Sequence, residues 1–87
     1  MKKQYKNWLI ANGYKMFTPA PNYFPSTAYD YLRGVNRVCE YENLSIEGVA
    51  KKIDVLLPKY EPSGEMSRSV RCGLRNFARF IKEQKVA

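Results

Sequence analysis

The stretch Met66–Lys85, MSRSVRCGLRNFARFIKEQK, constrains the fold more than any other part of the chain. Read at about 100° per residue, it is an amphipathic helix. Val70, Leu74, Phe77 and Ile81 share one face at spacings of four, three and four, with Ala78 and Phe80 flanking them. The opposite face holds Arg68, Arg71, Arg75, Arg79 and Lys82. One side is fit for burial and the other is an almost unbroken cationic stripe. Ser67 or Ser69 is placed to cap the start. Gly73 lies inside, costs ~1 kcal/mol of helix propensity relative to Ala, and marks a place for another helix to come close. Arginine's planar fork grips a phosphate or a guanine edge with two hydrogen bonds, which lysine does not. For any single arginine a solvated helix face is the simpler reading. For the whole stripe, with almost no acid interleaved, an anion-binding surface is the better one.

The remaining periodic segments also repeat at three and four. Lys2–Asn12 reads as a first helix, with Tyr5, Trp8 and Leu9 on one face and Lys2, Lys3 and Lys6 pointing away. Trp8 sits among the apolar positions and reads as a core anchor rather than a base-stacking platform. Gly13 stands where a left-handed cap stops the helix. Residues 14–25, YKMFTPAPNYFP, carry three prolines and no period, so they form a loop. Its Phe17, Tyr23 and Phe24 are expected to pack on the bundle; an exposed partner site is the alternative. A second helix opens at Ser26 or Thr27, carries Asp30 in its first turn, and runs to about Tyr41. Ala28, Leu32, Val35 and Cys39 form its buried face, with Tyr31 and Val38 beside them; Tyr29, Arg33, Asn36 and Arg37 face outward. Ser45 caps a third helix with Ile46, Val49, Ala50 and Ile53 on its apolar side. A break near Asp54 follows, with Asp54 as cap and Pro58 in the first turn; one bent helix to Tyr60 is the alternative. Residues 61–65 form a loop. No segment alternates as a strand does. The expected fold is all-α, one domain over residues 1–87 built from four to five short helices.

Charge is unevenly spread. Of the net +7, residues 1–25 carry +4, residues 26–66 carry −2 and residues 67–87 carry +5. If the terminal helices pack side by side, their basic faces merge into one field that attracts nucleic acid. Anionic lipid fits less well, because no long apolar stretch exists to insert. Cys39 and Cys72 are predicted on opposite-facing sides of their helices, Cys39 buried and Cys72 outward, which does not suit a disulfide. Two free thiols and no leader-like apolar run predict a reducing, cytoplasmic setting. The chain has no histidine, so a Ser-His or Cys-His pair cannot form. Two cysteines 33 residues apart make no zinc site, and no glycine-rich phosphate loop is present. No enzyme, metal or cofactor is expected.

Taken together, the pattern resembles the N-terminal SAM-like, or core-binding, domain of tyrosine recombinases and phage integrases. That family carries a Trp-Leu or Phe-Leu pair in its first helix, here Trp8-Leu9. A T-x-x-x-Y spacing opens its second, here Thr27 and Tyr31, followed by Leu32. Its last helix reads A-L-R-x-F-x-x-F-L, to which Gly73–Ile81, GLRNFARFI, is similar with Gly for the first Ala and Ile for the last Leu. The resemblance spans nearly the whole chain through positions that are mainly core. It implies an orthogonal helical bundle that clamps one side of duplex DNA, with the second and fourth helices toward the major groove. By position, these are the helix with Arg33 and Arg37 and the helix with Arg71, Arg75 and Arg79. The loop at 14–25 is longer and more aromatic than the family's link, and the catalytic domain with its Arg, His and nucleophilic Tyr is missing. Met1 and the end at Ala87 favour a free-standing relative over a fragment.

The expected function is therefore a non-catalytic module for double-stranded DNA, an accessory or regulator of DNA recombination in a mobile element. Arg68, Arg71, Arg75, Arg79, Lys82, Arg33 and Arg37 are the expected contacts. The alternative is a protein-interaction module that docks an acidic partner or self-associates through Tyr14, Phe17, Tyr23 and Phe24. RNA is a third possibility, though no RNA-recognition signature supports it.

Overall fold

A computed structural model describes residues 1–61 and 67–86, with side chains to residue 84. The chain is an all-α bundle of five helices: α1 (Lys2–Ala11), α2 (Thr27–Glu42), α3 (Ile46–Lys51), α4 (Ile53–Tyr60) and α5 (Arg68–Val86). Among the described residues there is no strand, only an isolated antiparallel bridge between Phe17 and Pro25. The loop expected at 61–65 and the helix start expected at Met66 fall largely outside the described residues.

The apolar spacing of the last helix dictates the core. Val70, Leu74, Phe77, Ala78, Phe80 and Ile81 are all buried, and every other helix packs on α5. Ser67 caps it, its Oγ accepting from the Val70 N–H at 3.3 Å. α2 shares the largest interface with α5, and two glycines set its closeness. A Cβ on Gly73 would stand 2.5 Å from the Tyr31 carbonyl oxygen, and one on Gly34 2.3 Å from that of Ser69. The two backbones meet at reciprocal notches that no larger residue leaves open.

α1 closes the other side through rings. Tyr5 is wholly buried, tilts onto Phe77 at 5.0 Å and Phe80 at 5.5 Å, and donates its hydroxyl to the Gly73 carbonyl at 2.8 Å. Burial pushes the Tyr5 hydroxyl pKa well above its ordinary value, with Tyr31 and Tyr14 adding to the effect. Trp8 is half-buried against Phe80. Gly13 takes the left-handed conformation, φ +93°, just past α1.

Ser45 caps α3 as expected, accepting from the Gly48 N–H at 3.1 Å. The chain restarts at Ile53, with Lys52 rather than Asp54 at the cap position. Pro58 therefore falls in the second turn of α4, not the first, and leaves the Asp54 carbonyl without its helical donor. Cys39 and Cys72 are both free and both half-buried, so Cys72 is less outward, and Cys39 less inward, than their helical phases suggest.

The aromatic loop departs most from expectation. Tyr14 and Met16 pack against the core, but Phe17 is 48% exposed and Tyr23 and Phe24 63% each. Beyond Met16 the loop folds largely on itself, with Phe17 alone of these three rings packing on α2, at Tyr29. Thr18 N–H donates to the Phe24 carbonyl and Ser26 N–H to the Met16 carbonyl, each at 2.8 Å. These bonds satisfy the backbone locally and leave the rings outside.

Candidate nucleic-acid interface

Five cations of α5, Arg68 to Lys82, lie on one strip. Arg68, Arg75, Arg79 and Lys82 are exposed and Arg71 is half-buried. On the helix wheel, positions 71, 75, 79 and 82 stand across from positions 69, 70 and 73, which face α2. The neighbours of α5 cover the rest of its circumference. Even Asn76 is buried, its Nδ2 donating to the Cys72 carbonyl at 2.9 Å. What α5 shows to water is therefore mostly guanidinium and ammonium.

The strip is less uniform than the sequence suggests. Arg75 pairs with Glu61 at the end of α4, Nη2 to Oε1 at 2.7 Å and Nε to Oε1 at 2.9 Å. Both side chains are about half exposed, so this pair is worth only ~0–1 kcal/mol and a phosphate can displace Glu61 at small cost. The Arg79 guanidinium lies 5.4 Å from the Trp8 ring centre and donates to Asn76 Oδ1 at 3.4 Å. The Trp8 indole N–H donates to Glu83, the one acid in the α5 sequence. Arg71 Nε is buried with no acceptor among the described residues. Arg68, Arg71 and Lys82 make no ion pair among the described residues.

One flank of the strip is aromatic. Tyr31 stacks edge-on with Tyr14 at 5.3 Å. Burial raises the Tyr31 pKa, the Cys72 thiol and Tyr14 add to this, and Arg68 and Arg75 pull the other way.

No family model, curated protein or solved structure matches the chain. The likeness to recombinase core-binding domains therefore rests on the residues quoted above.

Arg33 and Arg37 are placed differently from the strip. Arg37 is half-buried rather than outward. Both line a small cavity of about 130 Å³ with Asp30, Gly34, Ser67 and Ser69, where α2 passes the start of α5. Arg33 also faces a groove with Lys2, Lys3 and Lys6 of α1. The basic faces of α1 and α5 do not merge into one field: the lysines turn to α2, while the rings of α1 cover α5. Sequence reasoning missed this groove, because helical phase shows that the lysines leave the core but not which neighbour they meet. A third groove, between α1, α3, α4 and the end of α5, mixes Glu47, Asp54 and Lys51 over apolar residues and shows no charge preference. Among the described residues no three His, Cys, Asp or Glu side chains gather as for a metal, and no helix is long and apolar enough to cross a membrane.

Proposed function

We propose that the chain is a non-catalytic module that holds duplex DNA against the outer strip of α5, in the manner of the recombinase core-binding domains it resembles. One observation carries this reading: from Arg68 to Lys82 the exposed side chains of α5 are Arg68, Arg75, Arg79 and Lys82, with half-buried Arg71 among them. From Arg68 to Lys82 the strip is ~21 Å long at 1.5 Å per residue, which spans the axial rise of about six base pairs. Phosphate contacts would supply most of the affinity, and one or two arginines reaching base edges would supply specificity.

Salt-dependent binding to a short duplex tests this. Each phosphate contact contributes about −0.9 to the slope of log K against log salt, so three to five contacts give roughly −3 to −4.5. Arg68→Ala with Arg75→Ala should reduce the slope by about two. Lys51→Ala with Lys52→Ala, at the end of α3 and against the face of α5 opposite the strip, is the control. An equal loss from the control pair would show that total charge, not this strip, drives binding. A docking module for an acidic protein is the second reading, favoured by the exposure of Phe17, Tyr23 and Phe24. It requires weak duplex binding and a slope indifferent to Arg68 and Arg75.

A further inference from the structure

The α1–α2 groove is a second cationic surface that duplex binding on α5 does not use. It encloses about 620 Å³ and is lined by Lys2, Lys3, Lys6 and Arg33, with Met16 and Tyr29 among the other lining residues. No acidic side chain lines it. Among the described residues none of the four cations has a carboxylate at ion-pair distance. Lys2 and Lys6 are four apart on one helix, a spacing at which like charges repel and weaken the helix. Among the described residues no ion pair offsets that repulsion, so the groove favours an anion brought from outside.

The aromatic loop stands at the groove's edge. Met16 belongs to the lining, and its neighbour Phe17 packs on Tyr29, another lining residue, with ring centres 5.7 Å apart. Phe24 is held beside this segment, its N–H donating to Thr18 Oγ1 at 2.8 Å and its carbonyl accepting from the Thr18 N–H at 2.8 Å. Tyr23 sits in the left-handed region at φ +48°, an uncommon conformation for a bulky residue. Tyr23 and Phe24 thus keep their rings in water, on the same loop as Met16 and Phe17.

We infer that this groove and the loop rings together bind single-stranded nucleic acid. Phosphates take the lysines and Arg33, and unstacked bases take the rings. A duplex has its bases already stacked and would use only the charges. An acidic peptide would also use the charges but has no general need of the rings. The inference stands apart from the duplex reading, since it uses none of the α5 cations.

Fluorescence anisotropy with a labelled oligothymidine about 12 nucleotides long, within the usual site size, tests it against a duplex of equal length. Tyr23→Ala and Phe24→Ala should each weaken oligothymidine binding roughly tenfold with an unchanged salt slope. Lys6→Gln with Arg33→Gln should lower the slope by about 1.4, at roughly 0.7 per single-strand phosphate. Glutamine keeps most of each stem, so loss of charge is separated from loss of packing. All four side chains are exposed, and circular dichroism melts should match the parent. Arg68→Ala with Arg75→Ala should spare oligothymidine and weaken only the duplex, so the two readings fail separately. Oligothymidine binding that survives loss of both rings would overturn the inference. So would a polyglutamate peptide bound as tightly and weakened equally by Tyr23→Ala, which would assign the surface to an acidic protein.

Discussion

Gly73→Ala sets two ordinary rules against each other. Helix propensity alone says that alanine stabilises α5 by ~1 kcal/mol. The α2–α5 crossing says the opposite. The new Cβ would meet the Tyr31 carbonyl oxygen at 2.5 Å, where ordinary contact begins near 3.4 Å, so the helices must part by about 0.9 Å. The obstacle is backbone inside a helix, which cannot rotate away as a side-chain tip can. A gap of ~0.5–1 Å forfeits a quarter to a half of each dispersion well it opens, and overpacking of this kind costs ~1–3 kcal/mol or more. The Tyr5 hydroxyl bond to the Gly73 carbonyl lies at the same spot, and its loss adds ~1 kcal/mol.

After the propensity gain is subtracted, a net loss of ~1–3 kcal/mol is expected, set against a total stability of ~5–15 kcal/mol for a domain. For a chain of this size that lowers Tm by roughly 5–20 °C. Urea and thermal unfolding followed by circular dichroism measure it. Gly48→Ala is the control: its Cβ meets the Leu44 side chain at 3.3 Å and no backbone of another helix, so it should shift stability by under ~1 kcal/mol. A stabilised Gly73→Ala protein would show that α2 and α5 are not this close, and the reciprocal-glycine account would fall.

Two further outcomes follow from the buried titratable groups. The Tyr60 hydroxyl pKa is pushed up from 10.0 to about 12, first by burial and then by its bond to Glu42; the stability it contributes is complete below pH 10 and lost as pH rises towards 12. Tyr60→Phe should flatten that part of an alkaline stability titration, and an unchanged decline would refute the assignment. Cys39 has its thiol pKa raised by burial, ahead of the influence of nearby Glu47 and Glu40, so its alkylation should need higher pH than an ordinary thiol. Mass-resolved labelling of native protein should find both cysteines reduced, and a Cys39–Cys72 disulfide would contradict the fold.

The parts of the fold legible in the sequence are those fixed by helical repetition. Val70, Leu74, Phe77 and Ile81 had to share a face, and one face of a helix this apolar had to be buried. Gly73 was legible too, because a costly glycine inside a strong helix asks for a reason. Gly34 carries the same signal inside α2, and reading the two together would have pointed to their reciprocal contact. The loop rings were not legible. Hydrophobic residues usually go inside, but the rule is one-way, and the local hydrogen bonds of Thr18 and Phe24 decide the matter. The partner of Arg75 was equally hidden. Glu61 lies 14 residues earlier, and only the packing of α4 on α5 brings them together.

That pairing leads to a test of what the acidic residues do. Glu42 binds Lys59 at 2.7 Å and the Tyr60 hydroxyl, tying α2 to α4. Glu61 ties the end of α4 to α5, and Glu83 ties α5 to α1 through Trp8. Each acid spans two helices, whereas Lys2, Lys3, Lys6, Arg33, Arg68 and Lys82 have no such tie among the described residues. The Glu61–Arg75 pair, half exposed on both sides, adds little stability, so its main consequence is to decide whether Arg75 stays open. Glu61→Gln should therefore cost under ~1 kcal/mol of stability while releasing Arg75. If α5 grips phosphate, duplex affinity must rise, because binding no longer displaces a carboxylate. Arg75→Ala in the Glu61→Gln background should then cost more affinity than it does in the parent. If Glu61→Gln left duplex affinity unchanged and the two substitutions were additive, Arg75 would not be touching DNA, and the strip would have to be redrawn around Arg68, Arg71 and Lys82.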